Sequence, residues 1–588
     1  MKHLCFISIL LLLSGNTHAQ TVDWAAAIGS KHTDRALCVT IDNHGNKYIG
    51  GHFNDTVDFN LGVGSAIRIC EVDGIGRGNA YVLKLDAADN FVKVLTFGSP
   101  TGANYIGVTA MSKDVSGNLF LSGYFNTTLD FDPDTAATHN VNPSGNAVFL
   151  LKLDANENFL WVKHWADNFD AGNANGTEEE GPAMVIDASG NVCFAGRYKE
   201  TVDFDPGAGV FNLTSVGPQG YILKLDNNGS FVWAKNLVAD TAGVDVVFPR
   251  SIAADASNNL YIAGEFIGTV DFNPDTVAAY NLTDSIQKGF LLKLAANGSF
   301  QWAKQMGGAG SSAISSFNYA NAVAVDGASN VWLAGSFMGT VTMGTATLVS
   351  NGYSDIFIAK LDASGNYLWA KSIGNTWDSD MANRITVDAA NNIYVAGTYR
   401  SSVDFDPGAS VYSITSNGSN DAFLLKLNSG GGFEWAKSFG GSDYRELIYG
   451  VAVKDNSVYT VGRFLVQINC DNDGSYYIDA GYTGSGTERF EGWVAKINQG
   501  ATAIDGVVDG SQFTIYPNPA ANQFVIDLTD SKMSNSVVAI YDVQGKQVFE
   551  TELEGTTAIV DAKDLHKGMY FIKIQTKIGH AIKKLVIE

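Results

Sequence analysis

Asp42-Asn-His-Gly45-Asn46-Lys-Tyr48-Ile-Gly-Gly51-His-Phe53 is the stretch whose reading decides the fold. An apolar strand ends at Asp42, a tight turn follows, and a second strand carries an aromatic residue and a glycine. The pattern returns at Asp114 (DVSGNLFLSGYF), Asp187 (DASGNVCFAGRY), Asp255 (DASNNLYIAGEF), Asp326 (DGASNVWLAGSF) and Asp388 (DAANNIYVAGTY), with a shortened copy at Asp455 (DNSVYTVGRF). Successive starts lie 72, 73, 68, 71, 62 and 67 residues apart, a period that marks a repeat architecture. Asp and Asn bond nearby backbone in such turns, and Gly supplies left-handed φ without steric cost.

Each copy continues through a segment such as Thr201-Val-Asp203-Phe-Asp205-Pro206, then a strand like Leu150–Asp154, then an aromatic-x-Trp-Ala-Lys strand as at Tyr367–Lys371. Four strands, A to D, therefore form an antiparallel meander. One such sheet cannot bury both faces, but a ring of stacked sheets does. The seventh copy stops after its C strand at Val494–Asn498, and the missing Trp-Ala strand stands at the other end of the chain as Val22–Gly29. The N-terminal strand can complete the last sheet and leave no exposed edge. The expectation is an all-β chain: a seven-bladed β-propeller over 20–498, closed by its N-terminal strand. The Trp of each D strand (Trp24, Trp161, Trp233, Trp302, Trp369, Trp435) is read as inter-blade packing.

The DASGN-x-Y-x-AG-x-F, TVDFDPG and LLKLD…WAK blocks resemble the SBBP β-propeller repeats of exported bacterial proteins. The resemblance implies the fold and is almost silent on function.

Bulk properties narrow the function class. The chain of 588 residues has a formal charge of −23. Residues 512–588 hold 8 Lys against 9 Asp and Glu, so nearly all the negative charge falls on the repeat region. Such a surface is unsuited to nucleic acid, which is bound by displacing counterions with basic groups. Lys2 and His3, the apolar run Leu4–Leu13 and Thr17-His18-Ala19 read as a secretory signal peptide over 1–19. No other run is long enough for a transmembrane helix.

In a meander the A–B and C–D turns share one face, and the B–C and D–A connections share the other. The first set is short and uniform. The second varies, with insertions near 60–80 and 465–490 and the acidic link Asn168–Glu180, so binding is expected there. Cys70 and Cys470 lie in the B–C insertions of blades one and seven, neighbours in a closed ring, and are candidates for a disulfide latch at the seam, provided the facing loops bring their Cα atoms within bonding range. Cys38 and Cys193 sit in apolar strand patterns and read as buried thiols.

The Asp pairs Asp130/Asp132, Asp203/Asp205 and Asp404/Asp406 are calcium candidates, because alternation puts both carboxylates of a pair on one strand face. Blades one and four carry Asp58/Asn60 and Asp271/Asn273 instead, and blade five Thr342-Met-Gly344, which favours a turn-stabilising role. Asp471-Asn-Asp473-Gly474 is a weaker calcium pattern. The histidines of the repeat region (His32, His44, His52, His139, His164) form no hydrolytic motif, and no nucleophile elbow, HExxH or P-loop occurs. No catalytic residue is assigned.

Residues 499–511 read as a linker. Beyond them the repeat ends, and seven short strand-like runs in 512–588 suggest a small Ig-like β-sandwich. Tyr516-Pro-Asn-Pro519, Ile540–Lys546, Leu565–Tyr570 and the final Lys584–Glu588 resemble the C-terminal sorting domain of type IX secretion (the Por family). That resemblance implies export through the outer membrane, with the secretion machinery as partner of residues 512–588. The expected function is a secreted or cell-surface binding scaffold for an unidentified glycan or protein. A polysaccharide-acting enzyme using loop-face carboxylates and a structural surface-layer component stand as alternatives.

Overall fold

The computed structural model describes residues 20–499 and 513–587, apart from 31, 71–77, 99–105, 135–136, 167–180, 240–245, 276–277, 308–317, 442–445, 472–476, 481–489, 521, 529–535, 543–546, 554, 564 and 577–578. The expected signal peptide, the 500–511 part of the expected linker, the acidic link at 168–180 and the Asp473-Gly474 turn lie outside the described residues. The chain divides into two compact units, one of them Thr21–Asn498 and the other containing Gln499–Glu588. The described residues are all-β, without a helix.

Within Thr21–Asn498 the described strands form seven four-stranded antiparallel meanders. The first runs Arg35–Ile41, Lys47–Phe53, Asn79–Leu85 and Phe91–Phe97. Five sheets stand separately. The third and fourth join into one because Val238 and Ala239 pair with Asp271 and Val270. The inner strands follow one another in space: Arg35–Ile41, Ile106–Lys113, Ala183–Ile186, Val246–Ala254, Asn318–Val325, Met381–Val387 and Leu447–Lys454, the last packing back against the first. The arrangement is propeller-like.

The seventh sheet takes its outer strand from the chain start. Thr21–Ile28 pairs antiparallel with Glu491–Asn498, Ala25 opposite Ala495 and Ile28 opposite Gly492. Its alternate side chains enter different cores. Val22, Ala25 and Ala27 pack with Trp435 and Trp493, whereas Trp24, Ala26 and Ile28 pack with Phe53 and Tyr81 of the first sheet. Burial on both faces at ~25 cal/mol per Å² makes this strand part of the core rather than a tail.

Six of the seven inner strands carry a β-bulge at the same level, at Leu37, Thr109, Arg250, Asn321, Asn383 and Tyr449. A bulge twists its strand and re-aims a side chain. Here the bulges also join neighbours: Arg384 Nε donates to Tyr449 O (2.7 Å) and Asn321 Nδ2 to Ala382 O (2.9 Å).

The TVDFDP segments do more than turn. They build small two-stranded extensions between strands B and C, such as Thr201–Asp203 with Asn212–Thr214 and Thr340–Met343 with Ala346–Val349. In the fourth and sixth sheets the extension is continuous with the blade strands, Leu260–Asp271 with Asn281–Leu294 and Ile393–Asp404 with Ser413–Leu427.

The C-terminal unit holds a three-stranded sheet (Phe513–Tyr516, Gln523–Leu528, Thr557–Asp561) and a four-stranded one (Gln547–Leu553, Ser536–Asp542, Gly568–Thr576, Gly579–Ile587). Phe524, Ile526, Val538, Ile540, Ile572 and Leu585 form their shared core.

Candidate functional site

The two faces of the sheet ring differ in chemistry. On the A–B/C–D face each repeat Asp closes its own turn. Asp187 Oδ1 accepts the N–H groups of Ser189 and Asn191, both at 2.9 Å, and the same arrangement recurs at Asp42, Asp114, Asp255, Asp326 and Asp388. The turn position that is Gly45, Gly117 and Gly190 has φ of 84°, 83° and 82°, and Asn258, Ser329 and Asn391 hold the same left-handed conformation.

Six C-strand lysines then bind one sheet to the next. Lys84 reaches Glu157 (2.7 Å), Lys152 Asn227 O (2.9 Å), Lys224 Ala296 O (3.1 Å), Lys293 Ala363 O (2.9 Å) and Lys360 Ser429 O (3.0 Å). Across the seam Lys496 reaches Asp89 (2.9 Å). Asp89 also accepts from Tyr459 Oη (2.7 Å), from Trp24 Nε1 (3.1 Å) and from the buried Lys47. These donors outweigh the partial burial of Asp89 and hold its carboxyl down at about 2. The D-strand tryptophans pack as expected between sheets: Trp161, Trp233, Trp302 and Trp369 lie against Gly229, Gly298, Gly365 and Gly431 of the following sheet.

The B–C/D–A face is a set of loops held by buried carboxylates. Asp34 accepts from the Ser30 and Asn54 N–H groups, both at 2.6 Å. Asp380 accepts from Arg400 N (3.0 Å) and Asn375 N (3.1 Å), and Asp421 from Asn417 N (2.9 Å) and Ser438 Oγ (3.3 Å). Asp355 accepts from Asn351 N (3.0 Å). Asp34, Asp355 and Asp380 sit where a strand begins, and Asp421 lies within Ser413–Leu427. Burial outweighs these bonds and raises all four, Asp380 to about 7 and Asp421 to about 6. Glycine makes room for two of them: a Cβ at Gly374 or Gly440 would lie 2.4 Å or 1.9 Å from the Asp355 or Asp421 carboxyl.

The calcium candidates lie in the extensions, each pair capping its own turn. Asp203 Oδ1 accepts from Asp205 N (3.0 Å) and Phe211 N (2.8 Å), and Asp205 Oδ1 from Gly207 N (2.8 Å). Asp130 and Asp404 do the same with Asp132, His139, Asp406 and Tyr412, while Asp132 and Asp406 cap Asp134 and Gly408. Asp58/Asn60 and Asp271/Asn273 reproduce the geometry with one carboxylate replaced by an amide, so the motif needs an acceptor rather than a charge. Among the described residues no group of three or more His, Cys, Asp or Glu side chains is arranged to hold a metal ion.

The expected seam disulfide is not formed: all four described cysteines are present as thiols. Cys70 is buried with Phe59 and Tyr81, and Cys470 in a different cluster with Trp435 and Trp493. The seam is held instead by the Thr21–Ile28 strand and the Asp89 ion pairs. Burial raises Cys38 and Cys470, and Cys193 to about 12, which leaves these thiols protonated and unreactive.

Recesses open at two places among the described residues. One of about 200 Å³ lies among the inner strands beside Cys38, Thr109, Met111, Arg384 and Tyr449. One of about 250 Å³ lies between the second and third sheets, where His164 and Trp165 meet Asp203 and Asp205. Residues Asp355, Asp380, Asp421 and Asp34 were not singled out by sequence reasoning. No local signal marked them, since the positions equivalent to Asp355 and Asp421 are also polar in other repeats, as Asn79, Gln219, Lys288 and Glu491.

Comparison with known proteins places the C-terminal unit. Residues 514–588 match the secretion system C-terminal sorting domain. The protein is therefore exported by type IX secretion to the cell surface or extracellular space, and its sorting domain engages that machinery. No helix among the described residues is long and apolar enough to cross a membrane. An uncharacterized WD repeat-containing protein of Acanthamoeba polyphaga mimivirus is 25% identical over 328 residues, 45% of this chain and 22% of that protein. An endo-acting ulvan lyase of Formosa agariphila is 30% identical over 98 residues, 16% of this chain and 19% of that enzyme. The chain thus spans about a fifth of the length of these curated relatives. Among solved structures, a Dyadobacter fermentans protein of unknown function is similar at 10% identity and a TM-score of 0.34, covering 82% of this chain and 99% of that one. PorZ of Porphyromonas gingivalis, a surface component of the type IX secretion system, is similar at 11% identity and a TM-score of 0.18, covering 96% and 100%. The phage phi92 endosialidase is similar at 10% identity and a TM-score of 0.33, covering 96% and 87%.

Proposed function

We propose that residues 20–498 are a seven-bladed β-propeller of the SBBP-repeat kind and residues 512–588 an Ig-like sandwich. On this reading the exported protein is a non-enzymatic binding scaffold whose ligand, a glycan or a protein, is engaged by the B–C/D–A face. Seven meanders with a shared closing strand support the blade count. The observation that carries the functional reading is the clamped loop face. Its carboxylates are spent on holding backbone N–H groups at fixed positions, which suits a preorganised recognition surface better than acid–base chemistry. The A–B/C–D face is committed to joining the blades.

The test is a glycan-array and polysaccharide-turnover screen on the full-length protein recovered from its exporting cell, in calcium and in chelator. Saturable binding without product supports the scaffold. Product formation that is abolished by changing one loop-face carboxylate to its amide makes the protein an enzyme and overturns the reading.

A further inference from the structure

The loop between the D strand of blade five and the A strand of blade six, residues 374–380, carries the most exposed tryptophan of the described chain. Trp377 is 79% exposed, and Tyr353, on the adjoining B–C connection of blade five, is 67% exposed. The two loops are bonded together: Tyr353 N–H donates to Asp378 O (3.1 Å) and Asp380 N–H to Ser354 O (2.8 Å). A Cβ at Gly352 would lie 2.5 Å from Asp378 O, so the close approach requires glycine there.

Trp377 has no core to enter, yet its backbone is fixed. Asn375 Oδ1 accepts the N–H groups of Trp377 (3.1 Å) and Asp378 (3.0 Å), and Asp380 accepts from Asn375 N–H on the other side. Three other exposed rings on this face have packing duties. Phe211, Tyr280 and Tyr412 lie on Phe231, Phe300 and Phe433, with centroids 4.8–4.9 Å apart, and so pin their extensions to the blade. Among the described residues neither Trp377 nor Tyr353 makes such a ring contact. An indole held rigidly in water loses hydrophobic stabilisation and gives nothing back to the fold.

We propose that Trp377 and Tyr353 form a stacking platform for a neutral saccharide, which rests on the scaffold reading and names its ligand class. Three observations select this occupant. A stable protein interface needs roughly 800 Å² per partner, usually with an apolar centre, and two rings on two loops supply far less. The charged groups beside the platform cancel, since Asp378 pairs with Arg400 at 3.5 Å and accepts from Ser401 Oγ at 2.7 Å. That leaves no net charge to select an anionic polymer. The remaining neighbours, Thr376 and Ser379, are hydroxylic and match sugar hydroxyls. The apolar C–H face of a pyranose covers an indole, and the preformed loop spares the ligand the cost of ordering it.

The experiment measures retention of the full-length exported protein in affinity gels of neutral polysaccharides: cellulose derivatives, xylan, mannan, laminarin and starch. Trp377→Ala should weaken retention by at least about tenfold, as loss of a central aromatic anchor does. Trp377→Phe should keep it within about threefold, and Tyr477→Ala, at an exposed ring elsewhere, should not change it. An equal melting temperature for Trp377→Ala, expected from its exposure, separates binding from folding. Retention that survives Trp377→Ala overturns the platform while leaving the scaffold reading intact. Absence of retention in every gel overturns the saccharide assignment. A protein ligand lost on Trp377→Ala in its place would keep the scaffold and refute the sugar.

Discussion

Asp421 shows how one buried acid sets the pH response of this fold. Its Oδ2 accepts two hydrogen bonds, and its Oδ1 is buried without a partner among the described residues. The folded state therefore favours the neutral acid, with the carboxyl raised to about 6. A carboxyl raised on folding contributes stability that is complete below its unfolded value near 3.9 and is lost as pH rises through about 6. Asp421→Asn keeps the shape and both accepted bonds at Oδ1 of the amide, and removes the ionisation. Its melting temperature should exceed wild type by roughly 1–3 °C at pH 8 and approach it below about pH 3.5, measured by calorimetry. Asp380 is different, because both of its oxygens accept N–H groups and an amide there would oppose one donor to another.

The repeat made the turn residues legible at this scale: Asp42 and its equivalents, and the Asp pairs, do what local chemistry demands. The loop-face acids and Trp377 were not legible, because they fall outside the repeat. A residue whose partner lies in another sheet, such as Asp380, whose N–H reaches Ser354 O of the fifth sheet, gives no local signal. Trp377 did carry one, as a tryptophan standing in a D–A link rather than in a Trp-Ala-Lys strand.

At the scale of the element, the C–D turn distinguishes the seam. Its left-handed fourth position is Gly229, Gly298, Gly365 and Gly431 in the later blades, but Asp89 and Glu157 in the first two, at φ of 68° and 63°. A side chain there strains the backbone, and the ion pairs offset that strain. Asp89 is held by Lys47 and Lys496, and Glu157 by Lys84 and Lys93. Asp89→Gly restores the repeat residue, yet it should destabilise the repeat region by on the order of 3 kcal/mol, because it strands a buried lysine. Urea unfolding should show the loss as a lower midpoint. Since Asp89 is depressed to about 2, its contribution is present above pH 4 and disappears as pH falls toward 2. Acid should open the ring at this seam first. The A-to-D order of strands was readable from the sequence. The B–C extensions were less so, because a Thr-Val-Asp run is equally compatible with a turn or a short hairpin until its partner strand is known.

For the whole molecule, two units divide the work. The sorting domain carries the export address, and the blades carry whatever is displayed. Removing 514–588 should leave the repeat region folded but retained within the cell envelope, seen by fractionation and immunoblotting. Appearance of the truncated protein in the medium at the wild-type level would show that another element directs export. The compartment was legible because the sorting domain is a dedicated sequence block. The ligand was not, since it depends on loops brought together by ring closure. The Cys70–Cys470 latch failed for the same reason: neighbouring insertions do not fix where two thiols point, and both were drawn into separate cores.

Hydrogen exchange of the intact protein, followed by mass spectrometry, tests closure of the repeat region by the N-terminal strand. Amides of Thr21–Ile28 should be protected as strongly as those of their partners in Glu491–Asn498, and Asp89→Gly should weaken both strands together. Rapid exchange of Thr21–Ile28 with full protection of Glu491–Asn498 would contradict closure by the N-terminal strand.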